Sequence, residues 1–129
     1  MTQVDDGATA LIRLRLAPAD ARYMGNLVPG SKSMEIFADL ETELCLLEGG
    51  DEGLCAGYSN VEFLAPLRVG DFVEATGRVV ARGRSSRLIE AQIVRVISVD
   101  DRGVRIPNDE PVVATRCTVT VVVGTTAGA

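Results

Sequence analysis

No histidine occurs anywhere in the chain. That removes imidazole bases, His metal ligands and every Ser-His or Cys-His pairing from the chemistry available to it. Tryptophan is absent too, and aromatic residues fill only 4% of the 129 positions, too few for a platform on which bases stack. Positive charge is also short. A formal net charge of −5 leaves no broad basic face to read a phosphate backbone. The three cysteines, Cys45, Cys55 and Cys117, are odd in number, widely spaced and set among apolar neighbours. They fit neither a disulfide framework nor a zinc site, so reduced core residues are expected, with no metal. No apolar run approaches the roughly 18–20 residues that span a bilayer. The polar start MTQVDDGAT lacks the basic-then-apolar form of a secretion signal. A cytoplasmic protein is expected, with neither nucleic acid nor membrane as partner.

What is present suits one domain over residues 1–129, with 1–7 and 124–129 as flexible tails. Hydrophobic content of 47% is that of an ordinary globular chain. Ala10, Ile12, Leu14 and Leu16 alternate with Leu11, Arg13 and Arg15, the period of a half-buried strand, and Pro18 ends it. A loop from Asp20 to Gly30 carries Gly25, Asn26 and Pro29, all suited to turns. One long helix follows, with Ser31 or Ser33 as its expected N-cap and Gly49-Gly50 as its stop. Ile36, Phe37, Leu40, Leu44 and Leu47 form its apolar stripe, and Glu35, Asp39, Thr42 and Glu43 the neighbouring sector.

Everything beyond reads as strand. Leu54 to Leu64 places Ser59, Val61 and Phe63 on one face and Tyr58, Asn60 and Glu62 on the other. Alternating runs follow around Val73–Arg82, Arg87–Ser98 and Val112–Val123, with VDDRGVRIPNDEP as a solvated excursion before the last. Short connections make these strands antiparallel neighbours, and the lone helix must bury its stripe against their sheet.

Without histidine, Asp39 and Glu43 are the leading acid/base candidates. Their i, i+4 spacing puts them on one helix face, where like charges repel by about 0.2–0.5 kcal/mol. Desolvation would add to that and leave one protonated acid beside one carboxylate base. The same spacing fits a solvated acidic face. Glu62 is a third carboxylate, at a position that could equally face water. The loop from Gly25-Asn26 to Gly30-Ser31 leads into a helix start, whose free N–H groups can hold a developing oxyanion. Arg82, Arg84 and Arg87 around Ser85-Ser86 could grip phosphates, or form a solvated basic turn.

The segments YMGNLVPGSK, DLETEL and AGYSNVEFLAP, in this order, resemble the hot-dog fold of acyl-CoA enzymes, and within it the 3-aminobutyryl-CoA and β-alanyl-CoA ammonia-lyases. The similarity covers about residues 16–97 and the last strand. It implies an α+β architecture: a five-stranded antiparallel sheet wrapped around one long central helix. It also implies homodimers and trimers of dimers, with active sites between the two chains of a dimer. Carried over by motif, Asp39 and Glu43 become site carboxylates, with Glu62, Tyr23 and Tyr58 as further catalytic candidates. Gly25, Asn26, Gly30 and Ser31 become the thioester cradle, and Arg82, Arg84, Ser85 and Ser86 the region holding the CoA phosphates. The implied reaction eliminates ammonia from a 3-aminoacyl-CoA without any cofactor beyond the coenzyme A of the substrate. Acyl-CoA thioesterases of this fold typically carry Asn where Glu62 stands before Phe63, a departure that favours the lyase branch. Hydrolysis of an acyl-CoA, hydration of an enoyl-CoA and simple acyl-CoA binding are the alternatives on the same fold.

Overall fold

Gly30–Leu47 forms the long helix, α1, in a computed structural model that describes residues 1–100 and 102–124. Residues 125–129 of the expected flexible end, and Asp101 of the expected excursion, lie outside the described residues. Pro29, rather than Ser31 or Ser33, is the N-cap. Its fixed φ suits the turn into a helix, and its missing N–H forfeits no helical bond. Past the last turn, Gly49 takes φ +85, a conformation glycine adopts without the clash other residues meet.

The buried face of α1 is broader than the expected stripe. Two i, i+4 rows share it: Ser33, Phe37, Glu41 and Cys45, then Ile36, Leu40 and Leu44. The second row continues to the buried side chain of Glu48, which leaves Leu47 exposed rather than in the stripe.

The described residues form eight strands besides this helix. They are β1 (Thr2–Gln3), β2 (Thr9–Arg15), β3 (Leu27–Val28), β4 (Leu54–Phe63), β5 (Leu67–Arg68), β6 (Phe72–Arg82), β7 (Ser86–Val99) and β8 (Arg105–Val122). The main sheet runs β1-β6-β7-β8-β4, with β2 also on β6, and its pairings are antiparallel. β1 and β2 lie end to end along the same edge of β6, opposite residues 81–82 and 72–78. Counted as one interrupted strand, they make the expected five. Residues 1–7 are therefore not a free tail: besides β1, Val4 N–H donates to the Val80 carbonyl at 3.0 Å. β3 and β5 form a separate two-stranded ribbon.

The sheet closes on α1 because its inner positions are apolar and small where the helix comes nearest. Val73, Ala75, Val79, Ile89, Ile93, Val119 and Val121 pack around Phe37, Leu40 and Leu44. Each fully buried large side chain there contributes about 1.5–3 kcal/mol. At Gly77 a Cβ would stand 2.9 Å from Leu40 and 3.1 Å from Leu44, so only glycine lets helix and sheet approach this closely. The expected excursion is mostly sheet as well: β7 reaches Val99 and β8 begins at Arg105, with Ile97 paired to Pro107. The charges of this segment and its two prolines, Pro107 and Pro111, obscured the hairpin extension in the sequence.

Candidate active site

Glu41 is the only charged residue in the buried rows of α1's middle turns, and its exposure is 6%. Apolar neighbours on both sides of its row carry it under the sheet. Its carboxyl meets the side chains of Cys55 and Tyr58 on β4. Burial pushes its pKa up, and those two contacts only partly offset the push. The oxygen Oε2 is shut off from water without a hydrogen-bond partner among the described residues. An unpaired buried acceptor is costly, so it persists where something else selects for it. The neighbours carry the mark of this carboxylate. Burial first, and then the Glu41 charge, raise the pKa of Tyr58 and lift the Cys117 thiol to about 12.

Asp39 and Glu43 flank Glu41 on the other side of the helix, and both are exposed to solvent. Neither has an ion-pair partner among the described residues. In a single chain the two are a solvated acidic face, and the desolvation expected at the stripe's edge falls on Glu41 instead. The pattern held a usable signal. Glu41 is one turn from Phe37 and one from Cys45, so an acidic residue stood in the middle of a core row.

β4 brings Tyr58 to this carboxylate through two register shifts, between Cys55 and Gly57 and between Ser59 and Glu62. At the second, Asn60 sits at φ +52, the left-handed region. The extra residue of a bulge reverses the alternation. Tyr58 and Val61 therefore share the core face, whereas Asn60 and Glu62 line a concavity on the outer face of the sheet. Simple alternation had put Tyr58 with Asn60 and Glu62. There Glu62 accepts from Arg116 Nε at 2.8 Å, and the guanidinium holds its carboxyl below the usual range. It stands on the opposite face of the sheet from Glu41. Cys55 is exposed, while Cys45 and Cys117 are buried, so only two of the three thiols are core residues.

The loop before the helix lies elsewhere. Tyr23 is exposed and bridges to Leu27. Gly25 and Asn26 turn the chain with φ of +74 and +60, and the Asn26 carbonyl accepts from Val69 N–H. This places Gly25 and Asn26 beside Arg68 and Val99, around a cavity of about 490 Å³. Gly30 and the exposed Ser31 open the helix, which has no side-chain cap. From Gly30 to Glu41 a helix rises about 16 Å. That is too far for one chain's helix start and its own Glu41 to serve adjacent atoms of one small substrate.

Of the expected phosphate-binding group, Arg82 is already engaged. It donates to Glu48 at 2.6 and 2.8 Å and to Asp6 at 2.9 Å. Glu48 also accepts from Ala8 N–H, and with these bonds its pKa is lowered. Ser85 and Ser86 use their carbonyls to fasten the turn, to Val123 N–H and Gly83 N–H respectively. Arg84 is exposed at its tip. Among the described residues no group of three or more Cys, Asp or Glu side chains is placed to hold a metal, and no helix is long and apolar enough to cross a membrane.

Residues 30–98 match the model of the thioesterase superfamily. A 3-aminobutyryl-CoA ammonia lyase of Acetoanaerobium sticklandii is 39% identical over 93 residues, covering 70% of this chain and 74% of that protein. The solved structure of a β-alanyl-CoA:ammonia lyase from Clostridium propionicum superposes with a TM-score of 0.89 at 28% identity, over 94% of this chain and 88% of that one. A mutant of an acyl-CoA hydrolase of Staphylococcus aureus, solved with coenzyme A, shares the fold at 20% identity. Its TM-score is 0.74 over 89% of this chain and 64% of that one.

Proposed function

We propose that this chain, which belongs to the thioesterase superfamily and within it to the 3-aminobutyryl-CoA ammonia lyase family, reversibly eliminates ammonia from a 3-aminoacyl-CoA to give an enoyl-CoA. The observation that carries the reading is Glu41: a buried carboxylate with an unpaired oxygen, facing Tyr58 and an exposed strand. Desolvation makes it a stronger base than an exposed carboxylate. In the forward direction it takes the α-proton, and the electron pair of that C–H bond passes to the thioester as an enolate. The pair returns to form the Cα–Cβ double bond as the Cβ–N bond breaks. The substrate amine is in its ammonium form, so nitrogen leaves as neutral ammonia carrying the electrons of the Cβ–N bond, and the α-proton stays on Glu41 until solvent takes it up. Tyr58, whose high pKa keeps it protonated, orients the carboxylate.

The enolate needs N–H donors close to the base, and the helix start of the same chain is too distant. A second copy supplies them in this proposal. β4 pairs only with β8 among the described strands, so its other edge is open, and Leu54, Phe63 and Leu64 are exposed along it. Antiparallel pairing of two β4 edges about a two-fold axis sets the Phe63 end of one strand near the Cys55 end of the other. Gly30 touches the first end, and Glu41 faces the second. The homodimer therefore assembles Gly30 and Ser31 of one chain with Glu41 and Tyr58 of the other, and trimers of such dimers are compatible with it. Gly25, Asn26 and Tyr23 shape the rim in this reading, and Arg84 meets the CoA phosphates. The enzyme acts in the cytoplasm with its acyl-CoA.

Crotonyl-CoA supplied with ammonium tests the proposal. Loss of enoyl absorbance that depends on ammonium is expected. Absorbance loss without ammonium identifies a hydratase, release of free thiol a thioesterase, and binding with neither a carrier module.

A further inference from the structure

The three cysteines, far apart in sequence, converge on Glu41. Burial first, and then the Glu41 charge, raises the pKa of each thiol. Cys45 and Cys117 are sealed in the core, whereas Cys55 is exposed. The packing of β4 on α1 fixes what Cys55 meets. A Cβ on Gly53 would stand 3.1 Å from Cys45 Sγ, so the chain enters β4 beside that turn of the helix. Two residues along a strand cover about 6.6 Å and four along a helix about 6 Å, which brings Cys55 level with Glu41. There its thiol meets the Glu41 carboxyl, the Tyr58 side chain and the Gly57 backbone. The carboxyl aimed at this thiol is 6% exposed, and its Oε2 has no partner among the described residues.

The pairing of β4 edges described above brings the helix start of the second chain to the Cys55 end of the strand. The open side of Cys55 therefore fronts the gap in which the thioester lies, beside the base. The product of the elimination is an α,β-unsaturated thioester, which accepts a thiolate at its β-carbon. Held protonated by its surroundings, Cys55 is a poor nucleophile alone, and a base in contact with it supplies the activation. We propose that Cys55 adds to a bound enoyl-CoA when ammonia is absent, forming a reversible thioether at the β-carbon. Glu41 takes the thiol proton, the S–Cβ bond forms, and the electron pair of the double bond passes to the thioester as an enolate. The enolate then takes that proton from Glu41 at the α-carbon. Nothing is oxidised or reduced, and the reverse is the same elimination with thiolate leaving in place of ammonia. The inference rests on the proposed role of Glu41 as base.

Mass spectrometry of the intact protein after incubation with crotonyl-CoA in ammonium-free buffer tests it. A gain of one whole crotonyl-CoA per chain is expected, placed on Cys55 by peptide mapping. Enoyl absorbance should fall by one equivalent per chain and then stop, unlike turnover by a hydratase. Saturated butyryl-CoA should add nothing. Cys55→Ala and Cys55→Ser should each remove the adduct, and Glu41→Gln should slow its formation at least about a hundredfold, the lower bound for a positioned base. No adduct on the unmodified protein, an adduct on Cys45 or Cys117 instead, or an equal rate in folded Glu41→Gln overturns the inference. Ammonium-dependent turnover of crotonyl-CoA, run alongside on the unmodified protein, separates the two readings. Turnover without an adduct strikes this inference alone, whereas a Glu41-dependent adduct without turnover strikes the lyase proposal alone.

Discussion

Glu41 and Glu48 stand two turns apart on one helix, both with buried side chains, and the fold treats them in opposite ways. Glu48 is saturated: Arg82 twice, Ala8 N–H, and Arg87 Nε at 3.4 Å. Its pKa falls, chiefly through the Arg82 bond. Glu41 has two weakly acidic neighbours and an oxygen with no partner, and burial raises its pKa. One carboxylate ties the helix end to β6, β7 and the N-terminal segment. The other is withheld from such bonds, as expected of the base proposed above rather than of a structural charge.

The sharpest way to break this comparison is to make each carboxylate neutral. Glu41→Gln should cut ammonium-dependent crotonyl-CoA turnover by about a hundred- to ten-thousand-fold, the contribution of a positioned base. It should also raise stability by about 1 kcal/mol, because a strained functional group is relieved. Near-normal turnover in a folded variant would remove Glu41 from the mechanism. Glu48→Gln should do the reverse: about 3 kcal/mol lost in denaturant unfolding, the low end for breaking a buried ion pair because Arg82 is partly open to water. Thermal unfolding would then fall by roughly 10 °C, while turnover per folded molecule holds.

The pH dependence sharpens the same contrast. A lowered folded pKa means that Glu48 stabilises the protein above its unfolded pKa and loses that contribution as pH falls through the folded one. Glu41, with a raised pKa, favours the fold while protonated and loses that preference as pH rises. Unfolding free energy measured from pH 3 to 8 should therefore climb more steeply in Glu41→Gln than in the unmodified protein as pH rises through the Glu41 range. The corresponding climb across the acid range should flatten in Glu48→Gln. Parallel curves for all three proteins would show that neither carboxylate is coupled to folding.

Much of the architecture was legible because it rests on period. The alternation through Val73–Val79 and Ile89–Ile93 predicted strands that face α1 with Val73, Ala75, Val79, Ile89, Ala91 and Ile93, and they do. What period does not show is a defect in it. The bulge at Asn60 that turns Tyr58 inward leaves no mark in an alternating run, and β1 is too short to have one. The carboxylate problem is of the same kind. Asp39 and Glu43 are prominent because they sit together on a polar sector, whereas Glu41 is hidden in a row whose other members are Ser33, Phe37 and Cys45. A single polar residue in a core row reads as noise until burial is known. The helix start and Glu41 could not be joined from sequence either, since their separation along one helix puts them in different chains of the proposed site.

The smallest expected effects belong to the residues the pattern made most conspicuous. Asp39 and Glu43 are exposed one turn apart, and like charges so placed cost about 0.2–0.5 kcal/mol. Asp39→Asn should therefore stabilise the protein by about that amount, an effect that fades in high salt because exposed charges are screened. Turnover should change by less than about fivefold in either Asp39→Asn or Glu43→Gln, since an exposed charge is worth at most about 1 kcal/mol. A loss near that of Glu41→Gln in either variant would carry a different meaning from a wrong base. It would place the acidic face within reach of substrate, as a second chain could arrange. Steady-state kinetics separates the two: a residue that only draws in the substrate ammonium raises KM and leaves kcat, whereas one that moves a proton lowers kcat.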